Sequence, residues 1–346
     1  MGMIPYYFML AIILICAWAF SPKMSSKKQK WLLVVALLPV FCLLSFRSES
    51  VGADTASYTS LYLNMADLGS VDKTSRIEFG FQLFSIVLYK CFGSTQALFI
   101  FSSLIVCVSL FIFIKRTATN HSLALYFFVT MGFFQFALSG IRQTLSISIL
   151  LYTLPFIQNK KLIPYFAIVI LAYLFHKSAL LFLPMYWIMN LRVTKLNMLL
   201  AFGIMLGALI FAEPLLLTAA DALNYDYGIE STGNGILFML VVLIISVLCL
   251  KNRLVIINKK ATNVLLLNAN YVSLTLWVVR LVSRTVERVS LYYMPFTYVA
   301  LEQYISTRSN NNRWSFVLVA VLLATFLFVH RISPSEALNN FTFYWQ

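Results

Sequence analysis

Charged residues are scarce in this chain. Of 346 residues, 12 are Asp or Glu and 26 are Lys or Arg, so 11% are charged while 61% are hydrophobic. A soluble domain carries about 25% charged residues. The composition therefore excludes an ordinary soluble protein and predicts a membrane protein built from many apolar spans. Disulfide and metal chemistry also lack their usual pattern. Cys16, Cys42, Cys91, Cys107 and Cys249 all fall inside apolar segments, with no CxxC or metal-ligand spacing. Neither disulfides, a structural metal nor any other cofactor is expected. There is no nucleotide-binding loop, internal repeat or low-complexity tract. The opening stretch MGMIPYYFMLAIILICAWAF lacks the basic start and the small-residue cleavage site of a signal peptide, and reads as a first span that stays. Tyr6 stands where a myristoylation pattern needs Ser or Thr.

What the chain has in plenty is apolar and aromatic side chains. Aromatics make up 16%, with 18 Tyr and 6 Trp, which suits interfacial belts as well as cores. Apolar runs long enough to cross, or nearly cross, a hydrocarbon layer of about 30 Å lie at about 4–20, 31–46, 96–114, 122–138, 143–157, 162–175, 177–190, 196–212, 235–250, 262–279, 289–305 and 314–330. They predict an all-α, polytopic integral membrane protein, a single domain over 1–346, with about twelve transmembrane helices. A further run at 79–93, FGFQLFSIVLYKCFG, breaks the parity, because a crossing there would carry Lys115 and Arg116 outward. It is expected as a re-entrant or interfacial helix on the outer side, with both termini outward.

Orientation follows from Lys and Arg in short loops. Sixteen of the 26 basic residues lie in KMSSKKQK (23–30), Lys115–Arg116, Lys160–Lys161, Arg192 with Lys195, KNRLVIINKK (251–260), and Arg308 with Arg313. This placement is that of helix-orientation signals, so the net charge of +14 does not point to nucleic acid. With these loops in the cytoplasm, two long loops face outward, 47–78 and 213–234, and they hold nine of the 12 acids.

On that topology the polar residues near the membrane gather on the outer face. Arg47 ends the second span, Arg142 and Gln143 lie in SGIRQ (139–143), and His176 and Lys177 mark a turn in LAYLFHKSALLFLP. Arg280, Arg284, Glu287 and Arg288 lie in VVRLVSRTVERVSLYY. Spaced i, i+4 and i+8, the three arginines would stack on one face of a continuous helix. Such a row calls for an anion, and a guanidinium matches phosphate oxygens with two parallel hydrogen bonds. Ionisable residues at membrane depth are costly and default to function. Lipid-headgroup snorkelling for Arg280, and a purely structural acid pair for Arg142, remain the plain alternatives. His121 and His330 lie at span ends without companions.

The stretch FRSESVGADTASYTSLY (46–62) resembles the R…G-[TA]-D…Y segment of the EpsG-like polysaccharide polymerases, relatives of the Wzy O-antigen polymerases. The likeness continues in order through EFGFQLFSIVL (78–88), SGIRQTLSISILLY (139–152), FHKSALLFLPMYW (175–187) and ERVSLYYMPF (287–296), over about three-quarters of the chain. Ala53 stands where the family commonly has threonine, and Asp54 is retained. The resemblance implies a glycosyltransferase of the outer leaflet in a bacterial cytoplasmic membrane. Its substrate would be a growing glycan on undecaprenyl pyrophosphate, transferred onto a lipid-linked repeat unit. A chain-length regulator and a flippase are the implied partners.

Glycosyl transfer needs a proton acceptor, charge stabilisation on the leaving pyrophosphate, and positioning. The expected catalytic residues are Asp54 as first choice of general base, His176 as second, and Arg142. Arg47, Arg142, Lys177, Arg284 and Arg288 are expected to bind pyrophosphate. Tyr58, Tyr62, Glu78, Gln143 and Glu287 are expected to bind sugar. Competing readings are a lipid-linked oligosaccharide flippase, a membrane acyltransferase that modifies polysaccharide, and an O-antigen ligase.

Overall fold

The structure, a computed structural model, describes residues 2–21, 23–192, 194, 197, 200, 203–207, 210, 235–260, 262–281 and 285–346. Among the described residues every regular element is helical, and β-type pairing is limited to an isolated bridge between Arg47 and Phe343. The outward loop expected at 213–234 and most of the span expected at 196–212 lie outside the described residues.

The chain divides into two compact units. One comprises Met1–Phe156, Leu162–Leu180 and Arg308–Gln346; the other comprises Ile157–Lys161 and Leu181–Thr307. In the first unit the helices are α1 (Ile4–Trp18), α2 (Ser26–Ser45), α3 (Thr55–Leu68), α4 (Phe79–Phe92), α5 (Gln96–Thr117), α6 (His121–Thr130), α7 (Phe133–Ser139), α8 (Ile141–Leu150) and α10 (Leu162–Tyr173), while α9 (Leu154–Gln158) follows α8. The second unit contains α11 (Met185–Ile188), α12 (Ile236–Lys251), α13 (Arg253–Lys259), α14 (Asn263–Val279), α15 (Thr285–Ser290) and α16 (Met294–Ser306). The chain then closes, in the first unit, with α17 (Asn310–Ile332) and α18 (Glu336–Asn339).

Among the described residues three helices are long and apolar enough to cross a membrane, within Ser26–Ser45, Gln96–Thr117 and Asn312–Ile332, or five spans if each of two bent pairs counts as one. Other expected runs form shorter apolar helices, Ile4–Trp18, Leu162–Tyr173 and Asn263–Val279 among them. Runs that read as continuous are broken. The run at 122–138 becomes α6 and α7, bent by 55° at Gly132, whose φ is +111°. That left-handed φ strains any residue with a side chain, and the Arg331 guanidinium packs in the space a Cβ would take. The run at 143–157 becomes α8, a 3-10 turn and the short α9, and the run at 177–190 becomes a 3-10 turn and α11. Exposed Trp314, Leu318, Leu322 and Phe326 along α17 make a surface suited to lipid rather than water.

The first unit has two distinct ends. The Gln96 amide on α5 donates to the Ser45 carbonyl at the end of α2. At that same end Phe341 N–H donates to the Gly2 carbonyl, Gly52 N–H to Ala337 and Tyr344 N–H to Phe46. The Ala53 amide donates to Ser139 Oγ (3.1 Å), and Gly80 N–H donates to the Leu174 carbonyl (2.7 Å). Segments as far apart as Gly2 and Tyr344 thus meet there. At the other end, Asn120 caps α6 and donates to the Ala17 carbonyl (3.0 Å). Lys115 and Arg116 lie in the last turn of α5, whose 22 residues extend about 33 Å at 1.5 Å per residue.

Helix α4 does not run between these ends. It begins beside Leu174 and stops at Gly93, close to where α5 starts, and the Tyr62 hydroxyl reaches the Ser94 carbonyl. Helix α4 is an apolar helix of 14 residues. Its buried face, Phe81, Ile86 and Leu88, packs with Tyr62, Met65, Leu98, Phe99, Ile141 and Leu145.

Candidate functional site

Four segments far apart in sequence converge at the end of the first unit just described. Glu78 occupies the N-cap position of α4 and is nearly sealed, with its side chain 6% exposed. Its Oε2 accepts from Arg142 Nη1 at 2.6 Å. Its Oε1 lies 3.1 Å from His176 Nδ1 and accepts from the Lys177 backbone N–H, also at 3.1 Å. Burial alone would raise this carboxyl, but the His176 hydrogen bond and the Arg142 charge outweigh it and hold it at about 2. Glu78 is therefore ionised at neutral pH. A carboxylate has no proton to give, so the hydrogen between it and His176 belongs to Nδ1.

Each partner reaches this place through local backbone chemistry. Gly140 separates α7 from α8, and a Cβ there would run into the Phe136 ring. The break lets a new helix start at Ile141 and sets Arg142 in its first turn. A cation at a helix N-terminus opposes the helix dipole, and Glu78 offsets that penalty. The guanidinium lies 6.0 Å from the Tyr58 ring centroid, and the Tyr58 ring packs edge-on against Phe81 at 5.9 Å. The Arg142 side chain remains 23% exposed.

Glu78 itself is placed by two residues that the sequence reading passed over. The side chain of Gln82, one turn into α4, accepts from Asp72 N–H at 2.9 Å, and its amide donates to the carbonyls of Asp72 (3.0 Å) and Ile77 (2.7 Å). It clamps the loop 72–78 that delivers the carboxylate. Gly80 lets α4 touch the end of α10, since a Cβ there would fall 2.7 Å from the Leu174 oxygen. Both residues sit in EFGFQLF, so the signal was present, but their contact partners were not.

The GADT segment has an equally mechanical role. Gly52 has φ +105° and presses against the Leu138 carbonyl. The Thr55 hydroxyl is within donor reach of the Val51 and Leu138 carbonyls (2.7 and 3.0 Å). Together they fix the start of α3 to the end of α7, beside Arg142.

The other expected site residues are placed as follows. Asp54 is exposed at the N-cap position of α3 and, one turn before Tyr58, shares its face. Lys177 contributes its backbone to Glu78 and leaves its side chain exposed on the same turn. Glu78, expected to bind sugar, instead sits beneath the cations as their counter-ion. Tyr62 is fully buried with its hydroxyl on Ser94, a core position rather than a sugar contact. Gln143 is 5% exposed and faces inward from α8.

Arg47 is sealed at 2% exposure, with its guanidinium 4.5 Å from the Phe99 ring centroid and Nη1 donating to the Leu44 carbonyl. Burial lowers it to about 9 against a smaller opposing pull from Tyr6, which still leaves it charged at neutral pH. It lines a small cavity with Ser102, Ser103 and Thr144. A lipid pyrophosphate cannot reach it without opening the core.

The arginine row of the second unit is not a continuous stack. Helix α14 stops at Val279, one residue before Arg280, whereas Arg288 lies within α15. Arg284 lies outside the described residues. Arg280 is 6% exposed and donates from Nε to Glu287 Oε2 at 3.1 Å, a local pair bridging the break, whereas Arg288 is exposed. Among the described residues no cluster of three His, Cys, Asp or Glu side chains is arranged to hold a metal ion.

Comparison with known proteins agrees with the family resemblance. The model of the EpsG family matches residues 30–344. No curated protein and no solved structure matches the chain. A match over residues 30–344, nearly the whole chain, shows that this membrane protein belongs to the EpsG family.

Proposed function

We propose that the chain is a polysaccharide polymerase whose reaction site is the partly open patch formed by Arg142, His176, Lys177, Tyr58 and Asp54 above Glu78. The donor is a glycan on undecaprenyl pyrophosphate and the acceptor is the end sugar of a lipid-linked repeat unit. The site faces the periplasm from a bacterial cytoplasmic membrane, and a length regulator and a flippase act beside it. The observation that carries this reading is the convergence of Arg142 and His176 on one buried carboxylate at the helix end opposite Lys115 and Arg116.

Each group has a task in this mechanism. Arg142 and the Lys177 ammonium hold the pyrophosphate as it takes up charge on leaving. Tyr58 offers a ring face to a sugar. Asp54 is an exposed carboxylate one turn away, suited to orienting sugar hydroxyls. Glu78 fixes the Arg142 guanidinium and the backbone of Lys177, so that little reorganisation is needed when charge develops. A flippase must offer charges to both faces in turn, and the one-sided cluster of the first unit favours the polymerase.

Purified full-length protein in nanodiscs, given pyrophosphate-linked repeat units, is expected to yield a ladder of glycan lengths with release of the carrier pyrophosphate. Transfer of unaltered single units across the bilayer would overturn the reading in favour of a flippase, and acylated single units would overturn it in favour of an acyltransferase.

A further inference from the structure

Glu78 lies in a segment expected to contact sugar, yet it is buried beneath two of the proposed reactive residues. We propose that Glu78 is a positioning residue which sets the tautomer of His176, so that His176 Nε2 is the base that accepts the proton of the attacking sugar hydroxyl. The proposal rests on the polymerase reading for the reaction, and on geometry alone for the tautomer.

The geometry is specific. His176 Nδ1 meets Glu78 Oε1 at 3.1 Å, and the carboxylate is ionised, so Nδ1 carries the hydrogen. In a neutral imidazole the other nitrogen then bears the lone pair. Nε2 has no partner among the described residues, and the ring is 26% exposed. The pair therefore presents an acceptor to the surface and a donor to the interior. The ring is held from behind by the turn after α10, where His176 N–H donates to Ala172 and the His176 carbonyl accepts from Ala179 N–H.

Glu78 is itself immobilised by Arg142, by Lys177 N–H and by the Gln82 clamp on its loop. A carboxylate with this many donors cannot swing away from the ring. The charged groups facing His176 are Glu78 from the start of α4 and, across that carboxylate, Arg142 from α8, with Lys177 next in its own turn.

The step balances without a co-reactant. The acceptor hydroxyl oxygen forms a bond to the anomeric carbon of the donor glycan. The bond from that carbon to the pyrophosphate oxygen breaks, and the electron pair leaves with the pyrophosphate. The hydroxyl proton passes to Nε2, and the imidazolium formed is stabilised by the Glu78 charge until it returns the proton to water. This assigns the base to His176 in place of Asp54, whose carboxylate points to solvent.

The test measures kcat and KM against pH for full-length protein in nanodiscs with pyrophosphate-linked repeat units, and reads the His176 tautomer by 15N NMR. Glu78→Gln, which has nearly the same shape, is expected to lower kcat by about 10- to 100-fold, part of the usual contribution of a general base, with little change in KM. Loss of the negative charge disfavours imidazolium, so the acidic limb of the rate moves to lower pH. Glu78→Asp recovers part of kcat, and His176→Ala removes the acidic limb. A purely structural Glu78 would change thermal stability without moving the limb, so an unmoved limb in a folded Glu78→Gln protein overturns the proposal. So does a wild-type His176 found protonated at Nε2 instead of Nδ1. If wild-type protein makes no polymer while the Nδ1–H tautomer is observed, the polymerase reading falls and the Glu78–His176 assignment stands.

Discussion

Arg47 and Arg142 lie at the same end of one helical unit, and both read in the sequence as cations at an outer face. Their surroundings differ in every respect that matters chemically. Arg142 is about a quarter exposed and paired with an acid contributed from another helix. Arg47 is shut in, with a phenyl face and a backbone carbonyl for company. A guanidinium that is to meet a large anion needs access and a counter-charge it can share. One that fastens a loop to a helix end needs neither. Burial, which sequence spacing does not report, separates a reactive arginine from a structural one.

The contrast can be broken most directly at Arg142. Arg142→Ala is expected to reduce polymer formation by about 100-fold or more, the scale seen when one charge-stabilising donor is lost. Arg142→Lys should keep a fraction of it for want of the bidentate fork. Both are checked by glycan ladders with membrane levels of the protein measured in parallel. Glu78→Ala leaves the Arg142 guanidinium without its acid and the His176 ring without its hydrogen-bond partner, and should cost about 3 kcal/mol of stability, seen as a lowered melting temperature in detergent.

Acid sharpens the same point. Glu78 is held at about 2, below an unfolded carboxyl near 4.3. Its contribution is thus complete above about pH 4.3 and is lost as pH falls toward 2. Melting between pH 5 and pH 3 should weaken wild type more than Glu78→Gln, by about 1–2 kcal/mol.

Smaller effects test how the two arginines are held. Gly80→Ala forces a Cβ against the Leu174 carbonyl and should cost about 1–2 kcal/mol, while moving Glu78 away from His176 and lowering the rate. Arg47→Met, which fills similar space without charge, should alter stability by about 1 kcal/mol or less and leave glycan length unchanged. A folded Arg47→Met protein that makes only single units would abolish the distinction between the two arginines.

Much of the fold was legible because its cause is periodic or compositional. A scarcity of charge and long apolar runs dictate a helical membrane protein, since backbone polar groups in lipid must be satisfied within the segment. The parity of the basic loops set the run at 79–93 apart from the crossing runs, and it forms a short apolar helix of 14 residues. The breaks in the apolar runs were not legible. Gly132 reads as an ordinary apolar-run glycine until Arg331 is seen occupying the space beside it. The stacked row of arginines fails for a related reason: a spacing of four says nothing about whether the helix persists, and here it stops at Val279.

By itself the sequence determined the membrane class, the helical architecture, the family, and a short list in which Arg142, His176 and Lys177 were already cations of interest. Tertiary structure alone decided that Glu78 joins them, that Tyr62 and Arg47 are enclosed, and that Gln82, Gly80 and Thr55 hold the arrangement in place. The physical reason is the range of the forces involved. Hydropathy and helix periodicity act over neighbouring residues and can be read along the chain. A carboxylate kept ionised by partners 64 and 98 residues away depends on contacts that exist only once the helices have packed.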